Sequence, residues 1–159
     1  MGARARGSLG SEAGSILPRM DGYVARAERD VAAPAEEIWG LLTAEASRVY
    51  FGAQVESDWQ VGSPVVWRGE WEGKPFEDRG RVVEADPPSR LVITHYSPLS
   101  GEEDRPENYH RMEYLLTEVG GGTHVVLEQD GNPTQDAADH AAANWQKMLD
   151  GLAEIAEQG

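Results

Sequence analysis

Few residues in this sequence could carry catalysis, and His95 is the best placed of them. Imidazole titrates near neutral pH, so His95 could serve as a general acid or base. It lies at the end of a predicted strand, and strand alternation directs it to the same face as Leu91 and Ile93. A hydrogen-bonded strand histidine with no catalytic role fits the same pattern, so the sequence leaves open whether the protein is an enzyme.

Several other site chemistries find no support in the sequence. The chain has no Cys, which excludes disulfides, zinc–thiolate sites and cysteine nucleophiles. The four His are scattered and form no His-Glu-x-x-His element. No Gly-x-Ser-x-Gly elbow occurs, and Gly120-Gly121-Gly122 is better explained as a hairpin turn than as a phosphate-binding loop. We therefore predict no metal site and no cofactor.

The composition limits the kinds of partner that the protein can bind and indicates how the chain divides into domains. The 159 residues hold 14 Lys+Arg against 28 Asp+Glu, and the net charge of -14 argues against a nucleic-acid partner. The apolar runs are too short to cross a membrane. We expect a disordered leader at residues 1–20, one domain at residues 21–159 and a cytoplasmic location, and a homodimer is left open.

The elements that must position these residues can be predicted from periodicity and turn residues. Alternation predicts a first strand at 23–31, and Pro34 followed by two acids predicts a short helix at 34–43. A second short helix or turn is expected at 44–50. Six further strands are expected at 53–57, 64–71, 76–85, 90–97, 109–118 and 123–130.

The chain closes with one long amphipathic helix. Thr134 is the predicted N-cap, and the helix is expected to run to Glu157. Gly151 inside it costs about 1 kcal/mol relative to Ala and could mark a bend or a close approach of another element.

This order of elements predicts an α+β fold with a curved antiparallel sheet. A sheet with one polar face needs a cover for its other face, and only the last helix is long enough, since about twenty helical residues reach roughly 30 Å. A curved sheet that wraps around a helix leaves a space between the two layers. That space is a natural site for a small apolar ligand.

Four stretches resemble a known family. They are Ala33-Pro34-Ala35-Glu36-Glu37-Ile38-Trp39, the segment from Gly80 through Asp86-Pro87-Pro88 to Leu91, Gly122-Thr123-His124-Val125-Val126-Leu127, and Asn144-Trp145 with the spaced Met148 to Leu152. Together they resemble the START-like (SRPBCC) superfamily over residues 22–157, in the branch named after the heat-shock-protein-90 ATPase activator. The resemblance implies the helix-grip fold shared with the birch-pollen-allergen group, in which two short helices follow the first strand.

The resemblance also implies three kinds of function. Members of the superfamily bind lipids, hormones and polyketides, and some cyclise or dehydrate polyketides. The leading hypothesis is a binder of a small hydrophobic molecule, which would be a lipid, a polyketide or an aromatic metabolite. A polyketide cyclase or dehydratase, with His95 or a tyrosine moving a proton, and a chaperone-associated protein-interaction module are the alternatives.

Strand parity and the helix stripe predict which side chains would line the ligand space. His95, Tyr114 and Gln129 are the candidates for directed polar contacts, because an apolar ligand needs a few of these for useful affinity. Core packing without a ligand predicts the same pattern. The predicted lining residues are Trp39, Trp67, Ile93, His95, Met112, Tyr114, Gln129, Trp145, Met148 and Leu149.

Overall fold

A computed structural model describes residues 22–158, apart from the side chain of Trp71. The leader predicted at residues 1–20 lies outside the described residues. The elements are β1 (Tyr23–Val31), α1 (Ala35–Leu42), β2 (Gln54–Glu56), β3 (Pro64–Trp71), β4 (Lys74–Asp86), β5 (Arg90–His95), β6 (His110–Val119), β7 (Gly122–Asn132) and α2 (Gln135–Gln158). A 3₁₀ turn at Ala46–Arg48 is the second short helix predicted after β1.

The strands form one antiparallel sheet. Its order is β1-β7-β6-β5-β4-β3-β2, so the first strand closes the sheet beside the last one, and the remaining neighbours follow chain order. This arrangement, with α1 and the 3₁₀ turn inserted after β1 and a long helix at the end, confirms the predicted α+β helix-grip fold.

The sheet bends sharply along β4. The first part of this strand pairs with β3, and the last part pairs with β5, where the register shifts between Val82 and Glu84. At Gly80 the backbones of β4 and β5 come so close that a Cβ would lie 1.8 Å from the carbonyl oxygen of Thr94. Only glycine fits there, and this close approach places Asp78 and Arg79 of β4 beside His95 and Tyr96.

Helix α2 begins as predicted and lies across the inner face of the sheet. The Thr134 Oγ1 accepts a hydrogen bond from the amide of Ala137 at 3.0 Å, which confirms the N-cap. The helix packs most closely on β1 and also reaches β7 and α1. The close approach considered at Gly151 is wrong, because nothing lies within 4 Å of the position its Cβ would take. None of the described helices has both the length and the apolarity to cross a membrane.

The open space predicted between the sheet and α2 is wrong for the core of the described residues, because side chains from both layers fill it. The inward-facing residues predicted on β5, β6 and β7 belong to one continuous core with α1 and α2. Their exposed fractions do not exceed 5%, so protein atoms cover them on all sides: Leu91, Ile93, Met112, Tyr114, Leu116, Val125 and Leu127.

Candidate functional site

Tyr50 lies at the centre of an aromatic cluster between the sheet and α2. The 3₁₀ turn directs this residue inward, and its amide donates to the carbonyl of Ala46 at 3.3 Å. Its ring meets Trp67 of β3 and Trp145 of α2 edge-on, with centroid distances of 6.1 and 6.5 Å. The connection between α1 and β2 therefore joins the two layers through one buried side chain.

The Tyr50 hydroxyl forms a hydrogen bond with the Tyr114 hydroxyl of β6. Burial raises the pKa of both phenols well above the usual value, because the anion would lose its hydration. Both groups therefore remain protonated at neutral pH. They act in this interior as neutral hydrogen-bonding groups rather than as bases.

Gln129 of β7 is already engaged by the protein. Its Oε1 accepts a hydrogen bond from the Trp145 Nε1 at 3.1 Å, and only 7% of the residue is exposed. This bond ties the first half of α2 to the sheet and satisfies the polar edge of the Trp145 indole.

His95 is paired with Asp78 rather than standing alone. The His95 Nε2 lies 2.9 Å from the Asp78 Oδ2, and the two side chains are 18% and 13% exposed. The Trp67 ring packs edge-to-face on the imidazole at 4.9 Å. Because Trp67 and Asp78 are direct cross-strand partners on β3 and β4, the three side chains form one group on the inner face.

Three polar atoms of this group have no partner. They are the Trp67 Nε1, the Asp78 Oδ1 and the His95 Nδ1, and each is buried. Buried polar atoms in folded proteins are nearly always hydrogen-bonded. We call Trp67, Asp78 and His95 the polar triad.

The rim of the cluster is exposed to solvent at Phe51. Its side chain is 65% exposed, and its ring lies 6.5 Å from that of Trp145. Its backbone has φ of 50°, a left-handed conformation that is uncommon for a bulky residue. A strained, exposed aromatic residue therefore covers the end of the interior where Tyr50 and Trp145 meet.

The structure brings half of the predicted lining residues together. Trp67, His95, Tyr114, Gln129 and Trp145 gather around Tyr50. By contrast, Ile93, Met112, Met148 and Leu149 lie in the filled core with exposed fractions of 0–1%. Trp39 of α1 is half-buried against the core and makes no ring pair with the cluster in the described part of the chain.

Three residues of the site, Tyr50, Phe51 and Asp78, are missing from the sequence-based prediction. Tyr50 follows a short turn without periodicity, so nothing in the sequence marks it. Asp78 carries a usable signal, because a two-residue turn at Glu72-Gly73 places it opposite Trp67.

A separate groove of about 400 Å³ lies at the far end of the molecule, beside the turn between β6 and β7. Its lining residues include three consecutive glycines at 120–122 and the acidic residues Asp30 and Glu157. Within residues 22–158, no three His, Asp or Glu side chains are placed to hold a metal ion.

Comparisons with known proteins agree with this architecture. The family described as Activator of Hsp90 ATPase homolog 1-like protein matches residues 32–157. ChR145 from Cytophaga hutchinsonii is 38% identical, with a TM-score of 0.75 over 89% of this chain and 97% of that one. No curated protein matches the chain significantly.

Two more distant structures share the fold. The Aha1 dimer of Colwellia psychrerythraea is 18% identical, with a TM-score of 0.65 over 85% of this chain and 96% of that one. DynU16, from the dynemicin biosynthetic locus, is 20% identical, with a TM-score of 0.67 over 84% of this chain and 47% of that one. Because the family match covers most of the sequence, from the end of β1 to the end of α2, this chain belongs to the family of Activator of Hsp90 ATPase homolog 1-like proteins.

Proposed function

We propose that the protein binds a small hydrophobic molecule at the end of its interior, between the sheet and the first half of α2. The observation that carries this proposal is the aromatic cluster itself. Tyr50, Trp67 and Trp145 form a buried wall with amphipathic rings, and Phe51 leaves an exposed aromatic surface beside it. Large aromatic walls with a few polar atoms are typical of small-molecule sites.

The ligand would enter by displacing the rim rather than by filling a hollow in the core. The core residues behind the cluster are fully covered, so they offer no surface to a guest. Phe51 and Trp145 are the less buried members, and Phe51 gains freedom from strain if its segment moves. We therefore place the opening at the connection between α1 and β2.

The free energy gained by burying an apolar ligand determines which further contacts such a site needs. A ligand that buries roughly 300 Å² of apolar surface gains about 7 kcal/mol at 25 cal/mol/Å². Loss of rigid-body freedom offsets much of this gain. Micromolar affinity therefore requires directed polar contacts in addition to the aromatic wall, and the polar triad is the nearest source of them.

An environment-sensitive apolar dye, N-phenyl-1-naphthylamine, tests the proposal. We expect saturable fluorescence enhancement, and a Tm that rises by about 5–10 °C at a hundredfold excess over Kd, since such binding is worth about 2.7 kcal/mol. Phe51→Asn, which tolerates positive φ, should weaken binding by about threefold or more.

The matched control is Val119→Asn, which also replaces an exposed apolar side chain with Asn. Val119 lines the groove near Glu157, about 18 Å along α2 from Trp145, so this variant should bind the dye as the parent does. Absence of saturable uptake, or equal losses in both variants, would contradict the proposed site.

The second candidate function is catalysis by His95, and the Asp78 contact favours it. A carboxylate on Nε2 orients the imidazole and leaves Nδ1 to take a proton, which is the arrangement of a general base. A polyketide cyclase would use it to remove a proton from carbon between two carbonyls, so that the resulting enolate attacks a third carbonyl. DynU16, from a biosynthetic locus, has a similar fold.

Turnover distinguishes the enzyme from the binder. For an enzyme, a linear poly-β-ketone probe should be recovered with the mass of a cyclised and dehydrated product, one water lighter. His95→Ala should abolish this conversion while the probe still binds, and Asp78→Asn should slow it by roughly 10²-fold or more. A probe recovered from the parent protein as the linear ketone, with both its mass and its chromatographic retention unchanged, would count against catalysis by His95.

A protein-interaction role stays a prediction. Such a role needs a contiguous exposed apolar patch. The large exposed apolar side chains among residues 22–158 lie on β1, on β6 and in separate loops: Tyr23, Val24, Phe51, Val61, Leu99, Leu115 and Val119. A homodimer, the state in which the Colwellia Aha1 structure was described, also remains a prediction for this chain.

A further inference from the structure

The polar triad collects nearly all of the buried, unpartnered side-chain atoms in the described part of the chain. Four such atoms occur among these residues, and three of them belong to Trp67, Asp78 and His95. Each lowers the stability of the fold if nothing pairs with it, because it has lost its hydrogen bonds to water. Three of them on adjacent strands indicate a built site that an outside group completes.

The donors and acceptors of the triad restrict that group. The Trp67 Nε1 can only donate a hydrogen bond, and the Asp78 Oδ1 can only accept one while the carboxylate is ionised. With the His95 Nε2–H directed to the Asp78 Oδ2, the neutral ring presents its Nδ1 as a second acceptor. A completing group must therefore both accept a bond from an indole N–H and donate one to an oxygen or nitrogen.

The charge of the triad restricts the group further. Asp78 with a neutral His95 has a charge of −1, and with a protonated His95 the pair is neutral, so neither state attracts an anion. The arginines that flank Asp78 on β4 do not compensate, because Arg79 pairs with Glu77 and Asp104, and Arg81 is exposed on the opposite face. The chain as a whole carries −14.

We propose that the polar triad is a subsite for the neutral hydroxyl group of an aromatic ligand, and that it discriminates against carboxylates. This inference rests on the proposed function and adds the class of ligand to it. A hydroxyl supplies one acceptor and one donor, which a ketone or an ether does not. The edge-to-face packing of Trp67 on His95 and of Tyr50 on Trp67 suits a flat ring attached to that hydroxyl.

Three probes with the same ring system test the inference: naphthalene, 1-naphthol and 1-naphthoate. Calorimetry or thermal shift should show that 1-naphthol binds at least about tenfold more tightly than naphthalene, the ratio that 1.4 kcal/mol gives. The 1-naphthoate should bind more weakly than either. In Trp67→Phe, which keeps an aromatic ring and removes the N–H, the preference for 1-naphthol should fall to about threefold or less.

Trp59→Phe is the matched control, since it makes the same chemical change at a half-buried tryptophan outside the triad and should keep the tenfold preference. Asp78→Asn is a second variant, and it should bring 1-naphthoate closer to 1-naphthol by removing the negative charge. Its folded state, and that of Trp67→Phe, is checked by Tm.

Each outcome decides the question. Equal affinity for all three probes, or preference for 1-naphthoate, overturns the hydroxyl subsite while the proposed binding function stands. An unchanged preference in Trp67→Phe overturns it as well, because the bond would then lie elsewhere. If none of the probes binds, both the proposed function and the subsite fail.

Discussion

His124 on the outer face of the sheet joins two strands through both of its ring nitrogens. Its Nδ1 lies 2.7 Å from the Asp30 Oδ1, and its Nε2 lies 2.9 Å from the Glu28 Oε1, both on β1. Only the imidazolium can donate from both nitrogens at once. The hydrogen bond to Asp30, with a further contribution from Glu28, therefore raises the pKa of His124 above its usual value.

This contact predicts a pH-dependent part of the stability. Because the pKa is higher in the folded state, the stabilisation is fully present below the unfolded value near 6.5, and it is lost as pH rises through the folded pKa. His124→Gln should lower the free energy of unfolding by about 0.5–1 kcal/mol at pH 6, and by much less at pH 9. Urea unfolding at both pH values measures the difference.

His140→Gln provides the control, because His140 is exposed on α2 and makes no ion pair with any described residue. Its effect on the free energy of unfolding should be small and should not follow the same pH course. A loss in His124→Gln that grows with rising pH would mean that the neutral ring, not the imidazolium, is the stabilised form.

Single residues also mark the limit of prediction from the sequence. Parity along β5 and β6 correctly directs Ile93 and Tyr114 inward, because period-2 alternation fixes the face of every residue in a regular strand. Strand alternation does not predict the hydrogen bond between His95 and Asp78. That contact depends on the register between two strands and on the close backbone approach at Gly80. Tyr50 lies in an irregular segment, where no periodic rule applies.

Among the elements, β4 has the strongest influence on the site, because it pairs with β3 along one part and with β5 along the other. The order of the elements follows from hydrophobic periodicity and turn residues, so it was predictable. The register shift between Val82 and Glu84 was not, since it depends on the backbone packing of β4 against β5, which no residue pattern marks. The 3₁₀ turns at Pro98–Ser100 and Pro106–Asn108 lie between the strands predicted at 90–97 and 109–118, where no helical element was predicted.

Replacing either of two glycines by alanine tests how β4, β5 and α2 are packed, and the two replacements should change the stability in opposite directions. Gly80→Ala should destabilise the protein by several kcal/mol, because its Cβ would collide with the Thr94 carbonyl. Gly151→Ala should stabilise it by about 0.5–1 kcal/mol, because the position is helical, exposed and surrounded by open space.

Chemical denaturation of both variants beside the parent provides the measurement, with Gly151→Ala as the internal reference for the same chemical change. If Gly80→Ala unfolds at the parent's urea concentration, β4 and β5 do not approach as described. If Gly151→Ala is destabilised, that face of α2 is covered by something.

At the scale of the whole molecule, acidic residues outnumber basic ones, and single arginines form ion pairs with two acidic side chains each. Arg68 pairs with Glu56 and Glu77, and Arg90 pairs with Glu84 and Glu113, so each joins neighbouring strands on the polar face. The Arg68 pairs are exposed and contribute little individually, whereas the Arg90 pairs are partly buried. Because acidic residues outnumber basic ones by 28 to 14, these pairs leave an excess of negative charge that repels phosphate backbones and carboxylate ligands alike.

The hairpin between β3 and β4 turns through just two residues, Glu72 and Gly73, both with positive φ. That tight connection sets Trp67 against Asp78. One inserted residue there would pair Trp67 with a neighbour of Asp78 whose side chain points away from α2. Homologues that differ by a single codon in this loop would thus present a different side chain beside Trp67 and accept different guests, although no residue of the site has itself been substituted.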